Sequence, residues 1–347
     1  MELAVRTAET VFNRKSLEID APAEVERICR WIQDTIALKM KRQGAVVALS
    51  GGIDSSTVAA LCVRALGPDK VFGLQMPEQH SSEDTLELSG LAAAHFGIEA
   101  GHQDITEVLT ALGCYTRQEA AYRRLIPEYG PGWRAKIVLP GVLEAERLRL
   151  FSLIAVSPEG RQVKKRLDHK SYLEIVAATN FKQRVRKMFE YYHADRLNYA
   201  VTGTPNRLEY DQGFFVKLGD GAADIKPIAH LYKSQVYQLA EYLGVPEEIR
   251  SRPPTTDTYS LPQSQEEFYF SLSYEKMDLC LYGKNKDIPR DQVASAAGIN
   301  LEQLERVYAD IEQKRRTTAY LHMAPQVVQD IFHTRVAEGK ENVQQKS

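Results

Sequence analysis

The sequence predicts an α/β fold with a doubly wound, mostly parallel β-sheet. Short apolar, β-branched runs alternate with segments whose apolar residues recur at helical spacing. Several of these helical segments end at a glycine, which is typical of helix C-termini. A Gly-Ser turn directly follows the first apolar run, where a doubly wound sheet places its ligand site.

The elements follow one another regularly over the first third of the chain. Apolar residues from Val25 to Ile36 predict a helix ahead of the first strand. The predicted elements that follow are a strand over Ala45–Leu49, a helix from Ser55 to Gly67, a strand over Lys70–Met76, a helix from Ser82 to Phe96 that stops at Gly97, a short strand ending near Asp104 and a helix finishing at Gly113.

Between Cys114 and Tyr172 the alternation stops, because prolines and glycines divide the chain into loops. Two β-rich runs, Leu150 to Val156 and Arg161 to Leu167, flank Ser157–Gly160 and predict a β-hairpin. We expect residues 114–172 to be an insertion or lid in a domain that spans 20–290. The alternative is a surface elaboration without function.

Regular order then resumes. Helices are expected over Phe181–Tyr192 and Lys233–Leu243, with a strand over Tyr199–Val201 between them. Further helices are expected within Gln265–Leu281 and over Leu301–Lys314. Residues 291–336 are therefore predicted to be a helical C-terminal extension, and 337–347 a mobile tail.

Composition excludes several classes of protein. The 347 residues carry a formal net charge of −2, which argues against a nucleic-acid partner. The four cysteines are scattered and form no metal-binding pair, which suits a reducing compartment. No signal core or membrane-spanning apolar stretch is found, so we expect a cytoplasmic protein without a membrane partner.

The turn after the first strand reads Ser50-Gly51-Gly52-Ile53-Asp54-Ser55-Ser56. Its glycines allow a sharp turn and close approach of a ligand, and the following helix directs backbone N–H groups at an anion. The serines add hydroxyl donors. Asp54 suits a phosphate site if it holds Mg²⁺. No Gly-Lys-Ser/Thr follows, which excludes a Walker loop; an ordinary Gly-Ser turn is the alternative.

A second cluster runs from Thr202 to Asp224, with Thr-Gly-Thr-Pro-Asn-Arg-Leu-Glu at 202–209 and Gly-Asp-Gly-Ala-Ala-Asp at 219–224. Leu231-Tyr232-Lys233 and Pro253–Asp257 come next, and Asn180, Lys182 and Arg184 form an N-x-K-x-R pattern. Together with the Ser50 loop, this order resembles ammonia-dependent NAD synthetase, a branch of the SGGxDS ATP-pyrophosphatases. The resemblance implies an adenine nucleotide alpha hydrolase-like, Rossmann-like fold.

The resemblance also implies an amide-forming ligase. Such an enzyme adenylates the nicotinate carboxylate of deamido-NAD with ATP, releases pyrophosphate, and uses ammonia to form NAD and AMP. It implies Mg²⁺ at Asp54 and Glu209, and catalytic roles for Asp54, Lys233 and Asp224. The implied ATP and pyrophosphate contacts are Ser50, Gly51, Gly52, Asp54, Ser55, Ser56, Thr204, Lys233 and Thr255. The implied substrate contacts are Asn180, Lys182, Arg184, Lys217, Asp220 and Asp224, and the last three also shape the ammonia site.

Three features depart from the family. The 114–172 insertion lies where the family builds its substrate pocket, Pro205 replaces an acidic or small residue, and the segments 259–262 and 268–274 are aromatic. Amidation of a different carboxylate therefore stays an alternative, as does a nucleotide-binding protein without turnover. The resemblance implies a homodimer, and any glutamine-derived ammonia would come from a separate glutaminase. The basic stretch 314–316 is either a solvated patch or approaches the substrate.

Overall fold

A computed structural model of the chain describes residues 12–143, 150–255 and 258–329. Its central sheet has four parallel strands in the order β3-β2-β1-β7. A separate antiparallel sheet has the order β4-β5-β6. The strands are β1 (Ala45–Ala48), β2 (Val71–Gln75), β3 (Glu99–His102), β4 (Arg134–Val138), β5 (Ser152–Val156), β6 (Gln162–Arg166) and β7 (Ala200–Thr202).

Twelve α-helices are formed by the described residues. They are α1 (Ala21–Gln33), α2 (Ile53–Leu66), α3 (Glu83–Phe96), α4 (Thr106–Ala111), α5 (Cys114–Leu125), α6 (His169–Leu197), α7 (Arg207–Gln212), α8 (Lys233–Tyr242), α9 (Glu247–Arg250), α10 (Tyr274–Asn285), α11 (Arg290–Ala297) and α12 (Leu301–Thr318). Short 3₁₀ or π-helical turns cover Arg14–Leu17, Asp34–Lys39, Pro68–Lys70, Glu266–Phe270 and Ala319–His322.

The parallel sheet is covered on both faces. Along β1, Ala45 and Val47 pack into a core with α1, α2 and α8. Val46 points to the opposite face, into a core that includes residues of α4 and α6. Successive side chains of a strand point to opposite faces, so an unbroken apolar run can serve two helical layers. The predicted doubly wound sheet is confirmed.

The insertion has more structure than the sequence predicted. The expected hairpin is present as β5 and β6, and Gly160 at its turn has a φ of 86°. The expectation of loops over the rest is wrong, because Cys114–Leu125 forms α5, Arg134–Val138 adds a third strand and α6 begins at His169, earlier than expected. These elements enclose a core of their own, which includes Tyr122, Ile137 and Leu153.

The helices after β7 complete the domain. Helices α10, α11 and α12 share one core, into which Phe12 and Leu17 also pack. The predicted tail at 337–347 lies outside the described residues. All four cysteines are buried and unpaired, as expected of small apolar side chains. None of the described helices is both long and apolar enough to cross a membrane.

Candidate active site

The Ser50 loop joins β1 to α2 at the carboxyl end of the parallel sheet. Gly51 has a φ of 69°, and a Cβ there would lie 2.8 Å from the carbonyl oxygen of Thr85, so only glycine fits. Ser55 Oγ lies 3.1 Å from Ser50 Oγ and donates to the carbonyl oxygen of Gly52 at 3.0 Å. These bonds hold the loop as a rigid turn in front of the α2 N-terminus.

Helix α7, which follows β7, faces this loop. Asn206 caps α7 by accepting from the backbone N–H of Leu208 at 2.9 Å, and Glu209 accepts from the backbone N–H of Asn206 at 3.0 Å. The Asn206 side-chain amide in turn donates to Asp54 Oδ1 at 3.0 Å. One capping asparagine therefore connects the two carboxylates predicted to hold Mg²⁺.

Lys233 completes this group of charges. Its ammonium is 2% exposed and donates to Asp54 Oδ2. Burial lowers the pKa of Lys233, but the Asp54 and Glu209 carboxylates outweigh burial and raise it above its usual value. Burial, followed by the nearby Asp54 charge, raises the pKa of Glu209 to about 8. Two carboxyl groups therefore share one lysine, and both can be ionised near neutral pH only if a further cation joins them.

The position of Lys233 is fixed by Asp278 on α10. The carboxylate of Asp278 accepts from the backbone N–H groups of Lys233 at 3.2 Å and Ser234 at 2.7 Å, which satisfies the first turn of α8. Burial raises the pKa of Asp278 to about 6. A carboxylate at the helix N-terminus offsets the unfavourable placement of the Lys233 cation there.

These groups open into a cavity of about 1240 Å³. Most of the predicted ATP and substrate contacts line it together. The cavity-lining members of the prediction are Ser50, Gly52, Asp54, Ser55, Asn180, Lys182, Arg184, Thr204, Glu209, Lys217, Asp220, Lys233 and Thr255.

Three predicted residues do not line this cavity. Gly51 acts through its backbone turn. Ser56 is fully buried and its hydroxyl lies away from the loop surface. Asp224 accepts from the backbone N–H of Val201 at 2.8 Å and from the hydroxyl of Tyr191 at 3.3 Å. Its predicted catalytic role stays a prediction.

Lys182 lies in a buried network that the sequence did not indicate. Its ammonium, on a side chain with 1% exposure, donates to Glu78 Oε1 at 2.8 Å and to the carbonyl oxygen of Thr258 at 3.0 Å. Glu78 also accepts from the Tyr115 hydroxyl at 2.8 Å. The network ties α6 to the β2–α3 loop, to α5 and to the loop after Thr255.

Two further predicted contacts hold the rim of the cavity. Lys217 donates to the carbonyl oxygens of Tyr320 at 2.7 Å and Met323 at 3.1 Å, and its carbonyl oxygen accepts from Arg184 at 3.3 Å. Asp220 accepts from the backbone N–H of Val216 at 2.7 Å, and burial raises its pKa. Neighbouring Lys187 and Glu190 form an ion pair of 2.6 Å that also lines the cavity.

Aromatic rings line another part of the cavity. Phe151 from the insertion stacks on Tyr172 with centroids 4.7 Å apart and contacts Phe268 at 6.4 Å. All three rings line the cavity. The backbone N–H of Ala135 on β4 donates to Ser260 Oγ at 2.9 Å, so the insertion and the aromatic segment form one unit.

Sequence reasoning missed several of these residues. One is Asn206, whose N-x-x-E capping box with the predicted Glu209 is a signal present in the motif already singled out. Gln265, which donates to Glu209 at 2.9 Å, and Asp278 had no such signal. Glu78 had none either, because its partner lies 104 residues away.

The family model described as NAD synthase matches residues 24–126 and 146–319. The chain belongs to the NAD synthase family. The predicted family, and with it the prediction of a ligase, is therefore confirmed. The unmatched residues 127–145 fall within the predicted insertion.

Curated relatives in the NAD synthase family span nearly the same length. The chain is 57% identical to the NH(3)-dependent NAD(+) synthetase of Rhizobium meliloti over 92% of this chain and 96% of that protein. It is 35% identical to the NH(3)-dependent NAD(+) synthetase of Thermotoga maritima, over 78% of this chain and 91% of that protein.

Solved structures agree on the fold. The NH3-dependent NAD synthetase from Campylobacter jejuni superposes with a TM-score of 0.58 at 24% identity, covering 90% of this chain and 100% of that chain. The NMN synthetase from Francisella tularensis superposes with a TM-score of 0.63 at 21% identity, covering 89% of this chain and 99% of that chain. At this identity the two structures support the NAD synthase fold alone.

Proposed function

We propose that the chain is an ammonia-dependent NAD synthetase. It adenylates the nicotinate carboxylate of deamido-NAD with ATP and then transfers ammonia, giving NAD, AMP and pyrophosphate. The observation that carries this proposal is the Asp54–Lys233 ion pair beside Glu209, at the carboxyl ends of β1 and β7 and open to the large cavity. The names of the curated relatives support it.

In the first step, a carboxylate oxygen of the nicotinate forms a bond to the α-phosphorus of ATP. The bond from that phosphorus to the bridging oxygen breaks, and pyrophosphate leaves with the electron pair. Two anions meet, so the site must supply positive potential. The backbone N–H groups and hydroxyls of the Ser50 loop hold the pyrophosphate, and the Lys233 ammonium stabilises charge on the α-phosphate.

The residues present fit Mg²⁺. Asp54 and Glu209 are hard oxygen donors in a buried site that Lys233 alone does not neutralise when both are ionised. The pKa of Glu209 is raised to about 8, so a further cation is needed to hold this carboxylate ionised near neutral pH. Among the described residues no three His, Cys, Asp or Glu side chains form a metal cluster. Two carboxylates suit an ion that takes its other ligands from water and ATP phosphates, where it would neutralise the developing charge.

In the second step, ammonia attacks the carbonyl carbon of the adenylate, and the bond from that carbon to the AMP oxygen breaks. A proton leaves the nitrogen as the amide forms. Buried Asp220 lies in the cavity wall, and we expect its carboxylate to attract ammonium. The assignments of Asp220 and Asp224, a glutaminase partner, the homodimer and a cytoplasmic location remain predictions.

The test is turnover of the purified chain with ATP, Mg²⁺, ammonium and deamido-NAD, followed by mass spectrometry. We expect AMP and NAD in equal amounts, and we expect neither product when deamido-NAD is left out. A parallel reaction with nicotinate mononucleotide tests the alternative acceptor. AMP formation with that acid but not with deamido-NAD would contradict the proposal, as would ATP binding without AMP from either acid.

A further inference from the structure

A second cavity, which we call the cationic cleft, lies on the far side of α7 from Glu209. It has a volume of about 570 Å³. Its charged and aromatic lining residues are Arg207, Tyr210, Asp211, Lys226, His230, Arg315 and His322. Arg315 belongs to the basic stretch 314–316. The other six were not predicted as contacts of ATP, Mg²⁺ or the carboxylate substrate, and none of the seven lines the large cavity.

The charges of the cationic cleft are unbalanced. Asp211 is its one acid among the described lining residues. Arg315 binds Asp211 through two hydrogen bonds of 2.6 and 2.9 Å, and Arg207 donates to it at 3.3 Å. Three cations therefore face one carboxylate, which leaves a net charge of about +2 when histidines are neutral.

Lys226 is the cation without a carboxylate. Within the described part of the chain no acid lies at ion-pair distance from its ammonium, which instead sits over the Tyr210 ring, 5.0 Å from the centroid. Burial lowers the pKa of Lys226, followed by the charge of Lys187. Holding a half-buried ammonium here costs free energy unless an anion joins it.

The aromatic side of the cleft is ordered. His322 packs edge-on against Tyr210 at 4.8 Å and against Phe215 at 5.0 Å. Burial and then Lys226 lower the pKa of His322, and its imidazole already makes a hydrogen bond to the backbone of Tyr210. The cleft thus combines an excess of positive charge with an aromatic wall.

From this arrangement we propose that the cationic cleft binds a phosphate dianion, distinct from the phosphates of ATP. A dianion matches the net charge, and Arg207 and Lys226 supply donors of the kind that phosphate accepts. The cleft is open, so the phosphate is either free or the exposed end of a nucleotide.

The cleft is also connected to the active site through α7. That helix carries Glu209 toward the large cavity and Arg207, Tyr210 and Asp211 toward the cleft. Helix α12 ends in the same way, since Thr318 lines the cavity and Arg315 the cleft. An anion in the cleft would therefore stabilise two elements that also form the catalytic wall.

The test is isothermal titration of the full chain with inorganic phosphate while a non-hydrolysable ATP analogue and Mg²⁺ fill the active site. We expect one phosphate per chain, and Lys226→Met should weaken binding about tenfold or more. Because Lys226 has no carboxylate partner, this variant should unfold at the same or a higher temperature. Arg207→Gln is the second variant.

Lys164→Met, which removes an exposed cation from β6, is the matched control and should bind like the wild type. Titration with AMP distinguishes the sources: equal affinities indicate that the phosphate alone is bound, and tighter AMP binding adds a contact of its nucleoside. Phosphate that does not bind at about 10 mM, or that binds Lys226→Met as well as wild type, would overturn the proposal. This readout does not require turnover.

Discussion

The two ends of the large cavity are built in different ways. The nucleotide end consists of the Ser50 loop, α7 and the first turn of α8, and its groups are backbone N–H donors, two carboxylates and a buried lysine. The insertion end consists of β4–β6 with residues 258–273, and it presents stacked rings such as Phe151 and Tyr172.

The difference indicates that the nucleotide end carries out the reaction and that the insertion end selects the acid. At the nucleotide end, the ends of the parallel strands and the helix caps beside them fix each polar group, as expected for a step in which charge develops on phosphate. At the insertion end, a separate apolar core positions aromatic rings that we expect to contact the substrate without reacting with it. Changes at the first end should reduce turnover, and changes at the second should alter affinity for the acid.

The largest effect is expected at the nucleotide end. Asp54→Asn and Glu209→Gln each remove a charge from the proposed metal and phosphate site, so kcat should fall about 10³-fold. AMP release is the measurement. Glu107→Gln, which neutralises an exposed acid on α4, is the control and should keep wild-type rates. Near-normal kcat in both site variants would remove the chemical distinction between the two ends.

The buried Glu78–Lys182 pair joins the two ends and should dominate stability. Lys182→Met leaves Glu78 buried without its cation and should lower the free energy of unfolding by about 3–5 kcal/mol in urea. The double variant with Glu78→Gln should recover part of that loss. Arg30→Met, which breaks an exposed pair with Glu26, should cost about 0–1 kcal/mol. Equal losses for Lys182→Met and Arg30→Met would contradict this role.

The Glu78–Lys182 pair also predicts that the folded chain loses stability at low pH. Burial raises the pKa of Glu78, but the Lys182 ammonium outweighs burial and holds it below its usual range. The pair therefore contributes fully above the unfolded pKa of about 4.3, and the contribution disappears as the pH falls through the lower folded value. Unfolding of the wild type and the double variant should converge at low pH.

A smaller pH effect is expected from Asp278, which supports Lys233. Because its folded pKa is raised to about 6, the folded chain binds the extra proton and stability falls as the pH rises from about 4 to 6. Asp278→Asn should gain roughly 2 kcal/mol relative to the wild type between pH 4.5 and 7, measured by urea unfolding. A difference independent of pH would show that Asp278 is not protonated in that range.

The smallest effect is expected at the insertion end. Phe151→Leu removes the stacking on Tyr172 and should raise KM for deamido-NAD about threefold to tenfold, with little change in KM for ATP. Phe96→Leu, in a partly buried ring outside the cavity, is the matched control. If Phe151→Leu changed both KM values alike, the insertion end would not act on the acid selectively.

The sequence predicted best those features that depend on residues close together in the chain. The glycine turn, the helix after it and the alternating apolar runs predicted the parallel sheet and the position of the Ser50 loop. The hairpin was predicted for the same reason, since Gly160 marks its turn. Helix α5 was missed because the prolines and glycines after it dominated the pattern, and α5 itself packs mainly against α6.

The site was predictable only where a local motif marks it. Asp54, Glu209 and Lys233 were identified through motifs, and the structure brings them together. Their supports, Asp278 and Gln265, come from distant segments whose composition carries no sign of the contact. Lys182 was expected at the substrate and lies in a buried pair with Glu78, a partner that only the tertiary fold brings near.

The most direct test of the adenylation chemistry uses deamido-NAD labelled with ¹⁸O in its carboxylate. In the proposed reaction the labelled oxygen stays on the α-phosphorus when ammonia displaces AMP. One ¹⁸O atom per AMP, with the other retained in the amide of NAD, is the predicted result. Label in inorganic phosphate, with ADP as the nucleotide product, would contradict the account.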